Sequence, residues 1–225
     1  MPKITSVEPQ KKTLRLRSGQ GPHRFNIFLD GVFAFGADED LVVENRLVEG
    51  KLLDTSDVEQ LLFEAEVGKL MEKMYGLFNI RQRSEREVRN YFRVKNLESR
   101  IKGKEEISDL AIELVIKKLK QKNLINDEEF AKAWVESRSR KYGINRIKQE
   151  LFQKGINREI IEEVTRVESL ESSEEVAQQL LEKKMRVWKD LPILEFKKKA
   201  YEFLMRRGFE FEVVKAVVEK YLKKE

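Results

Sequence analysis

Between Asp127 and Val164 the apolar positions recur at helical spacing, and the pattern predicts three short helices. Phe130, Ala131 and Trp134 fall at i, i+1 and i+4 on one face. Ile147, Leu151 and Phe152 form the expected inward face of the second helix, and Ile160, Ile161 and Val164 that of the third. Asn126 or Asp127 suits the first N-cap, where a short side-chain oxygen accepts an orphan backbone N–H. Gly143 is expected to end that helix and Asn145 to open the next, with Gly155 and Asn157 repeating the punctuation. Helices of about three turns do not hold alone in water, so their faces must be buried against neighbours.

The pattern returns along the chain. Leu151-Phe152-Gln153-Lys154-Gly155-Ile156 is echoed by Leu204-Met205-Arg206-Arg207-Gly208-Phe209, 53 residues on (208 − 155). Each glycine is followed by a short apolar helix, carried in the later copy by Val213, Val214, Val217 and Val218. A weaker copy opens at Ser84-Glu85-Arg86-Glu87-Val88, runs through Tyr91, Phe92 and Val94, and is completed by Ile112, Ile116, Leu119 and Leu124. Imperfect copies of one supersecondary unit predict a small helical array.

Upstream the period changes. Lys3–Val7 and Thr13–Arg17 read as short strands, with Gly19 to Pro22 as a turn. Arg24–Leu29 and Val32–Phe35 flank Asp30-Gly31, a strong hairpin signal because the tight turn wants positive φ at both central residues. Leu41–Val43 suits a short helix after Asp38-Glu39-Asp40, and Leu47–Leu53 a last strand or extended arm. Ser56 with Glu59 has the capping-box pattern of a long helix reaching about Tyr75. Further on, residues 96–106 read as a polar loop and the acidic, Ser-rich stretch 168–175 as a linker, with Ser172 or Ser173 capping the next helix. Trp188 closes that helix, and Pro192 restarts the chain at a first-turn position. The expected fold is mostly α: tandem three-helix repeats in a curved, elongated array behind a small β-rich N-terminal domain. Its boundaries fall at 1–60 for that domain, then 61–126, 127–168 and 169–225 for the first, second and third helical repeats.

Phe78-x2-Arg81-x-Arg83-Ser84-x2-Glu87, followed by Leu124-Ile125-Asn126-Asp127-x2-Phe130-Ala131-x2-Trp134-x3-Arg138, resembles RecX, the bacterial regulator of the RecA recombinase. The Lys154-Gly155-Ile156 stop is similar too. The resemblance covers about residues 65–225, with Leu124 to Arg138 its most specific part. The N-terminal segment resembles the β-rich domain that some members carry. Two features depart from the family: the polar stretch at 96–106, and a third unit without the aromatic-Ala-x2-Trp signature.

Charge sharpens this picture. Residues 1–70 hold 9 Lys/Arg against 12 Asp/Glu, a net of −3, while 71–225 hold 36 against 28, a net of +8. A basic helical region calls for a nucleic-acid phosphate or an acidic protein surface as partner, unless it is simply a solvated exterior. Arg81, Arg83, Arg86 and Arg89 crowd one stretch, where the guanidinium fork suits phosphate or carboxylate and pairing with Glu85 and Glu87 is the plainer account. Arg138, Arg140, Lys141, Arg146 and Lys148 cluster about the first helix–helix turn of the second repeat. Arg206 and Arg207 precede Gly208, where the helix dipole alone favours cations. Trp134 reads as a packing residue before a stacking one.

Catalysis finds little support. The chain has no cysteine, so disulfides and thiolate chemistry are excluded. Its single histidine, His23, stands in a Gly/Pro loop with no Ser/His/Asp grouping in view. Gly31 to Gly36 has phosphate-loop spacing, but Ala37 stands where lysine is needed. Asp38-Glu39-Asp40 are adjacent acids that point different ways, so a two-metal site is not expected. No apolar run approaches the roughly 20 residues a membrane span needs, and the start lacks a signal-peptide core. These features predict a soluble cytoplasmic protein, a binding protein rather than an enzyme, without cofactor or metal.

The resemblance implies a monomeric protein that binds RecA and its filaments on single-stranded DNA, blocks filament extension, and lowers recombinase, ATPase and coprotease activity. DNA repair, homologous recombination and the SOS response are the processes it would modulate. The charge split and the clustering of basic residues motivate the expectation that Arg81, Arg83, Arg138, Arg140, Lys141, Arg146, Lys154, Arg206 and Arg207 contact RecA or DNA, single- or double-stranded. The rival is a helical regulator acting on DNA independently of RecA, since short helical units with basic turns also read duplexes. A purely structural adaptor is a third reading.

Overall fold

The computed structural model describes residues 1–10, 24–166, 170–188 and 190–222. The chain forms two compact units, Met1–Arg81 with Lys95–Lys122 and Gln82–Val94 with Asn123–Glu225. It is mostly helical, with one small N-terminal sheet.

In the first unit β1 (Ile4–Pro9), β2 (Arg24–Leu29) and β3 (Val32–Asp38) form an antiparallel sheet in the order β1-β2-β3. The β2–β3 hairpin turns on Asp30 (φ 48°) and Gly31 (φ 82°), the double positive φ that Asp-Gly supplies cheaply. The expected strand at 13–17, the turn at 19–22 and His23 lie outside the described residues. One sheet face buries Ile4, Ile27, Phe35 and Ala37 against Leu41, Leu47, Leu53 and Leu61. Asp38 caps α1 (Glu39–Glu44), its carboxylate accepting from the Leu41 N–H at 2.9 Å. The phosphate-loop spacing at Gly31 to Gly36 is thus a hairpin turn and a strand.

Leu47–Leu53 does not return as a strand. Positive φ at Arg46 (47°) and Gly50 (89°) bends it, so it meets the residue just before β1 through an isolated bridge, Lys3 to Leu52, while Leu47 and Leu53 plug the core. α2 (Thr55–Phe78) opens on Asp54 rather than Ser56. The Asp54 carboxylate accepts from Asp57 N–H at 2.7 Å and Asp57 accepts from Asp54 N–H at 3.1 Å. An Arg24–Glu72 ion pair (2.6 Å) ties β2 to α2, and α4 (Asp109–Gln121), capped by Ser108, packs on α2.

α3 (Glu85–Ile101) begins in the second unit and ends in the first. Residues 96–101 are therefore helical, not loop. The polar composition belongs to a solvated face, braced by Lys95–Glu98 at 2.7 Å, and the helix stops before Gly103 (φ 63°).

The second unit holds two three-helix groups. α5 (Asp127–Ser139), α6 (Ile144–Gln153) and α7 (Arg158–Thr165) bury Phe130, Ala131, Val135, Ile147, Leu151 and Ile161 together. Asn126 and Asn157 cap α5 and α7. Phe152 is 66% exposed rather than inward, because the buried stripe of α6 runs through Ile147 and Leu151 and the next residue falls on another face. Gly143 does not end α5, which stops at Ser139 with Arg140 as its C-cap; it is the N-cap of α6, which begins at Ile144 rather than Asn145. α8 (Leu170–Trp188), α9 (Ile193–Arg206) and α10 (Phe211–Leu222) form the second group about Leu181, Leu204, Phe209, Val214 and Val218. Because α8 starts at Leu170, most of the acidic Ser-rich stretch is helix rather than linker, and Ser172 and Ser173 lie within it, not at its cap. Pro192 is the N-cap of α9, one place before the first-turn position.

The two groups meet backbone to backbone. Gly143 N–H donates to the Arg207 carbonyl (2.9 Å) and Asn145 N–H to that of Gly208 (3.1 Å). The end of α9 thereby supplies the acceptors that α6, which lacks a side-chain cap, would otherwise miss.

On α10, burial pushes the Tyr221 phenol up to about 12, with the Glu182 carboxylate adding to the effect. A raised folded-state value means that the stability Tyr221 contributes is complete below the unfolded value of about 10 and is lost as pH rises through the folded one. Thermal melts between pH 9 and 12 are expected to show this loss, and Tyr221→Phe to flatten it.

Candidate functional site

Three of the nine basic candidates converge on one cleft. Arg138 comes from the last turn of α5, Arg146 from the first turn of α6, and Lys154 from the α6 C-cap. With Arg86, Trp134 and Glu150 they line a cavity of about 450 Å³. The fold brings them together because α5 and α6 are adjacent and antiparallel about the Tyr142-Gly143 turn, placing the end of one beside the start of the other.

Trp134 is the centre of the cluster. Its ring stacks on Phe130 (5.7 Å between centroids, 20° between planes), which anchors it to the core, yet its outer part is half-exposed. The Lys154 ammonium lies 4.2 Å from its centroid and the Arg138 guanidinium 4.7 Å. Each such contact contributes about 0.5–2 kcal/mol, more as it is desolvated. The packing role expected of Trp134 holds, with a cationic coat added.

Glu150 organises the cations. One carboxylate, 16% exposed, accepts the Trp134 Nε1–H at 3.0 Å and meets Arg146 Nε at 3.2 Å and Arg138 Nε at 3.3 Å. Lys154 pairs with Glu87 at 2.8 Å, and its carbonyl accepts the buried Ser84 hydroxyl at 2.7 Å. Ser84 and Glu87 cap α3 reciprocally, the Ser84 oxygen accepting from Glu87 N–H at 3.2 Å. Lys154 is thus joined to the start of α3 by backbone and side chain at once.

A second basic group adjoins the first through Tyr142, whose ring has the guanidinium carbons of Arg138, Arg146 and Arg207 at 5.6, 5.6 and 5.8 Å. Arg207 also lies 4.7 Å from the Phe203 ring and donates to the Lys141 carbonyl at 2.9 Å. The remaining candidates stand apart. Arg140 caps α5 and is exposed, as is the Lys141 side chain. Arg206 donates to the Glu202 carbonyl at 3.2 Å on its own helix. Arg81 closes the first unit and Arg83 belongs to the second, and both are engaged within the fold. Lys148 pairs with Glu162 at 2.7 Å and holds that carboxyl below the usual range. Arg89 pairs with Glu85 at 2.8 Å, the plainer account considered from sequence.

Sequence reasoning missed Glu150 and Tyr142. The i, i+4 spacing of Arg146 and Glu150 was a legible signal. The 16-residue separation of Trp134 from Glu150 was not, since it depends on how α5 and α6 pack. Among the described residues, no helix is long and apolar enough to cross a membrane, and no group of His, Asp and Glu is arranged to hold a metal ion.

Three family models match this chain: Regulatory protein RecX N-terminal domain at residues 2–54, RecX second three-helix domain at 126–164, and RecX third three-helix domain at 172–218. A relative from Bacillus subtilis (strain 168), named Regulatory protein RecX, is 33% identical over 221 residues, spanning 97% of this chain and 77% of that protein. The chain belongs to the RecX family. A second RecX relative, from Clostridium perfringens (strain SM101 / Type A), is 28% identical and matches 95% of its own length. A solved structure described as regulatory protein RecX superposes with a TM-score of 0.72 at 25% identity, covering 97% of this chain and all of that one. The RecX second three-helix domain thus contains α5, α6 and α7, and with them Trp134, Arg138, Arg146, Glu150 and Lys154. By name the RecX family is one of regulatory proteins, not of enzymes.

Proposed function

We propose that this chain is a non-catalytic cytoplasmic regulator that binds RecA and RecA filaments on single-stranded DNA and blocks filament extension, so that recombinase, ATPase and coprotease activities fall. It acts as a monomer whose helices form three repeats, 61–126, 127–168 and 169–225, behind the N-terminal domain at 1–60. The observation that carries the reading is the cleft about Trp134, where guanidinium and ammonium groups from three segments line one opening in a protein of the RecX family. Basic side chains held on an aromatic platform suit acidic side chains on a protein partner. The other nominated cations, Arg81, Arg83, Arg140, Lys141, Arg206 and Arg207, extend the contact to neighbouring RecA protomers or to DNA.

The test is the ATPase of RecA on single-stranded DNA, titrated with this protein at two salt concentrations. Inhibition well below one molecule per RecA is the expected result. No inhibition, together with tight, salt-sensitive binding to naked DNA, would move the function to a DNA-binding regulator independent of RecA, because phosphate contacts release counterions.

A further inference from the structure

Glu150 has an unusual position for an acid in a basic cleft. It is the least exposed of the charged groups that meet there, 16% against 35% for Arg138 and 46% for Arg146. Its carboxylate meets both guanidiniums at Nε, from behind, with Oε2 toward Arg138 and Oε1 toward Arg146. The Trp134 N–H fixes the carboxylate at 3.0 Å. A guanidinium held at Nε still offers its terminal Nη donors as a fork, the geometry that grips a carboxylate in two parallel hydrogen bonds. Without an anion between them, two guanidiniums this close would repel and swing apart.

Resting on the RecA-binding reading above, we propose that Glu150 is a positioning residue. It holds Arg138 and Arg146 side by side as a two-arginine clamp whose occupant is a carboxylate on the protein partner. A protein carboxylate fits better than a phosphodiester chain. Glu87 and Glu150 both line the cleft, so a continuous polyanion running through it meets two negative groups, whereas a single acidic side chain can enter between the forks. Glu150 does not compete with the occupant, because it uses the Nε edges and leaves the Nη edges open.

The experiment uses full-length Glu150→Gln, the Arg138→Ala/Arg146→Ala pair and the triple variant. Each is measured by half-inhibitory concentration in the RecA ATPase assay and by affinity for naked single-stranded DNA. Glutamine keeps an acceptor for Trp134 Nε1–H, and an unchanged melting temperature would verify the fold. Glu150→Gln is expected to raise the half-inhibitory concentration about tenfold, less than the loss of a direct interface charge pair, because Glu150 acts at one remove from the partner. In the arginine-less background it is expected to add little, because it acts through those arginines. Tighter inhibition by Glu150→Gln would mean that Glu150 competes with the partner, and would overturn the proposal. Additive losses would make its role merely structural and overturn it as well. Equal losses on naked DNA would make the occupant a phosphate, against the carboxylate assignment. Full inhibition by the arginine pair would instead remove the cleft from the RecA-binding reading, a failure distinct from that of the clamp.

Discussion

Gly143→Ala is expected to lower the stability of the second unit by about 1–3 kcal/mol, the range for forcing an extra carbon into a packed contact. The backbone at Gly143 is ordinary, with φ −76°, so alanine meets no torsional objection. The objection is contact: a Cβ there would lie 2.3 Å from the Phe209 nitrogen and 2.4 Å from the Gly208 oxygen. Both obstacles are backbone and cannot rotate away. Relief requires the α9 end to withdraw, which breaks the hydrogen bonds from Gly143 and Asn145 and leaves the first turn of α6 without acceptors. Thermal melting would report the loss. Gly76→Ala is the internal control. It stands in α2 with nothing within 4 Å of its added Cβ, and is expected to be neutral or to stabilise by about 0.5–1 kcal/mol, because alanine is the better helix former. Equal destabilisation by the two would deny the joint its special status.

Replacing Arg138 and Arg146 together by alanine is expected to weaken inhibition of RecA by tenfold or more, while Arg140→Ala changes it less than twofold. Arg138 and Arg140 are two residues apart and carry the same charge, so a general electrostatic attraction would treat them alike. The cleft does not. Arg138 is seated on Trp134 and Tyr142 and meets Glu150, whereas Arg140 is an exposed C-cap residue. An ordered, partly desolvated cation contributes much more to an interface than a solvated one at its rim. Part of the effect of Arg138→Ala is lost packing on the indole, so Arg138→Lys belongs beside it: lysine keeps the charge and loses the fork. Equal effects at 138 and 140, read from half-inhibitory concentrations, would assign the interaction to bulk charge.

The fold was legible where local chemistry decides the outcome. Asp30-Gly31 specified its hairpin, Asn126 and Asn157 their caps, and the valines at 213, 214, 217 and 218 their buried face. It was less legible where a polar stretch had two possible states. Residues 96–101 and most of 168–175 are helical because solvated helix faces have the same composition as loops, and ion pairs such as Lys95–Glu98 favour the helix. Phe152 shows the complementary error: an apolar residue next to the buried Leu151 lies about 100° away round the helix, and is exposed. Of the site, the sequence held the cations but not their arrangement. Arg138, Arg146 and Lys154 meet because α5 doubles back onto α6, and Glu150 was hidden by being one acid among 40. Arg81 and Arg83, two residues apart in the chain, fall on either side of a division between compact units that no local pattern announces.

The Gly143 joint also limits how such a chain can grow. The second helix of one group receives the end of the corresponding helix in the next, through a backbone N–H at Gly143 and through the Ser84 hydroxyl at the start of α3. At the matching place in the last group stands Pro192, which has neither an N–H nor a hydroxyl to give. Tandem duplication of the last three helices would therefore yield a joint without the donor that Gly143 and Ser84 supply, one that a change at that single codon would restore.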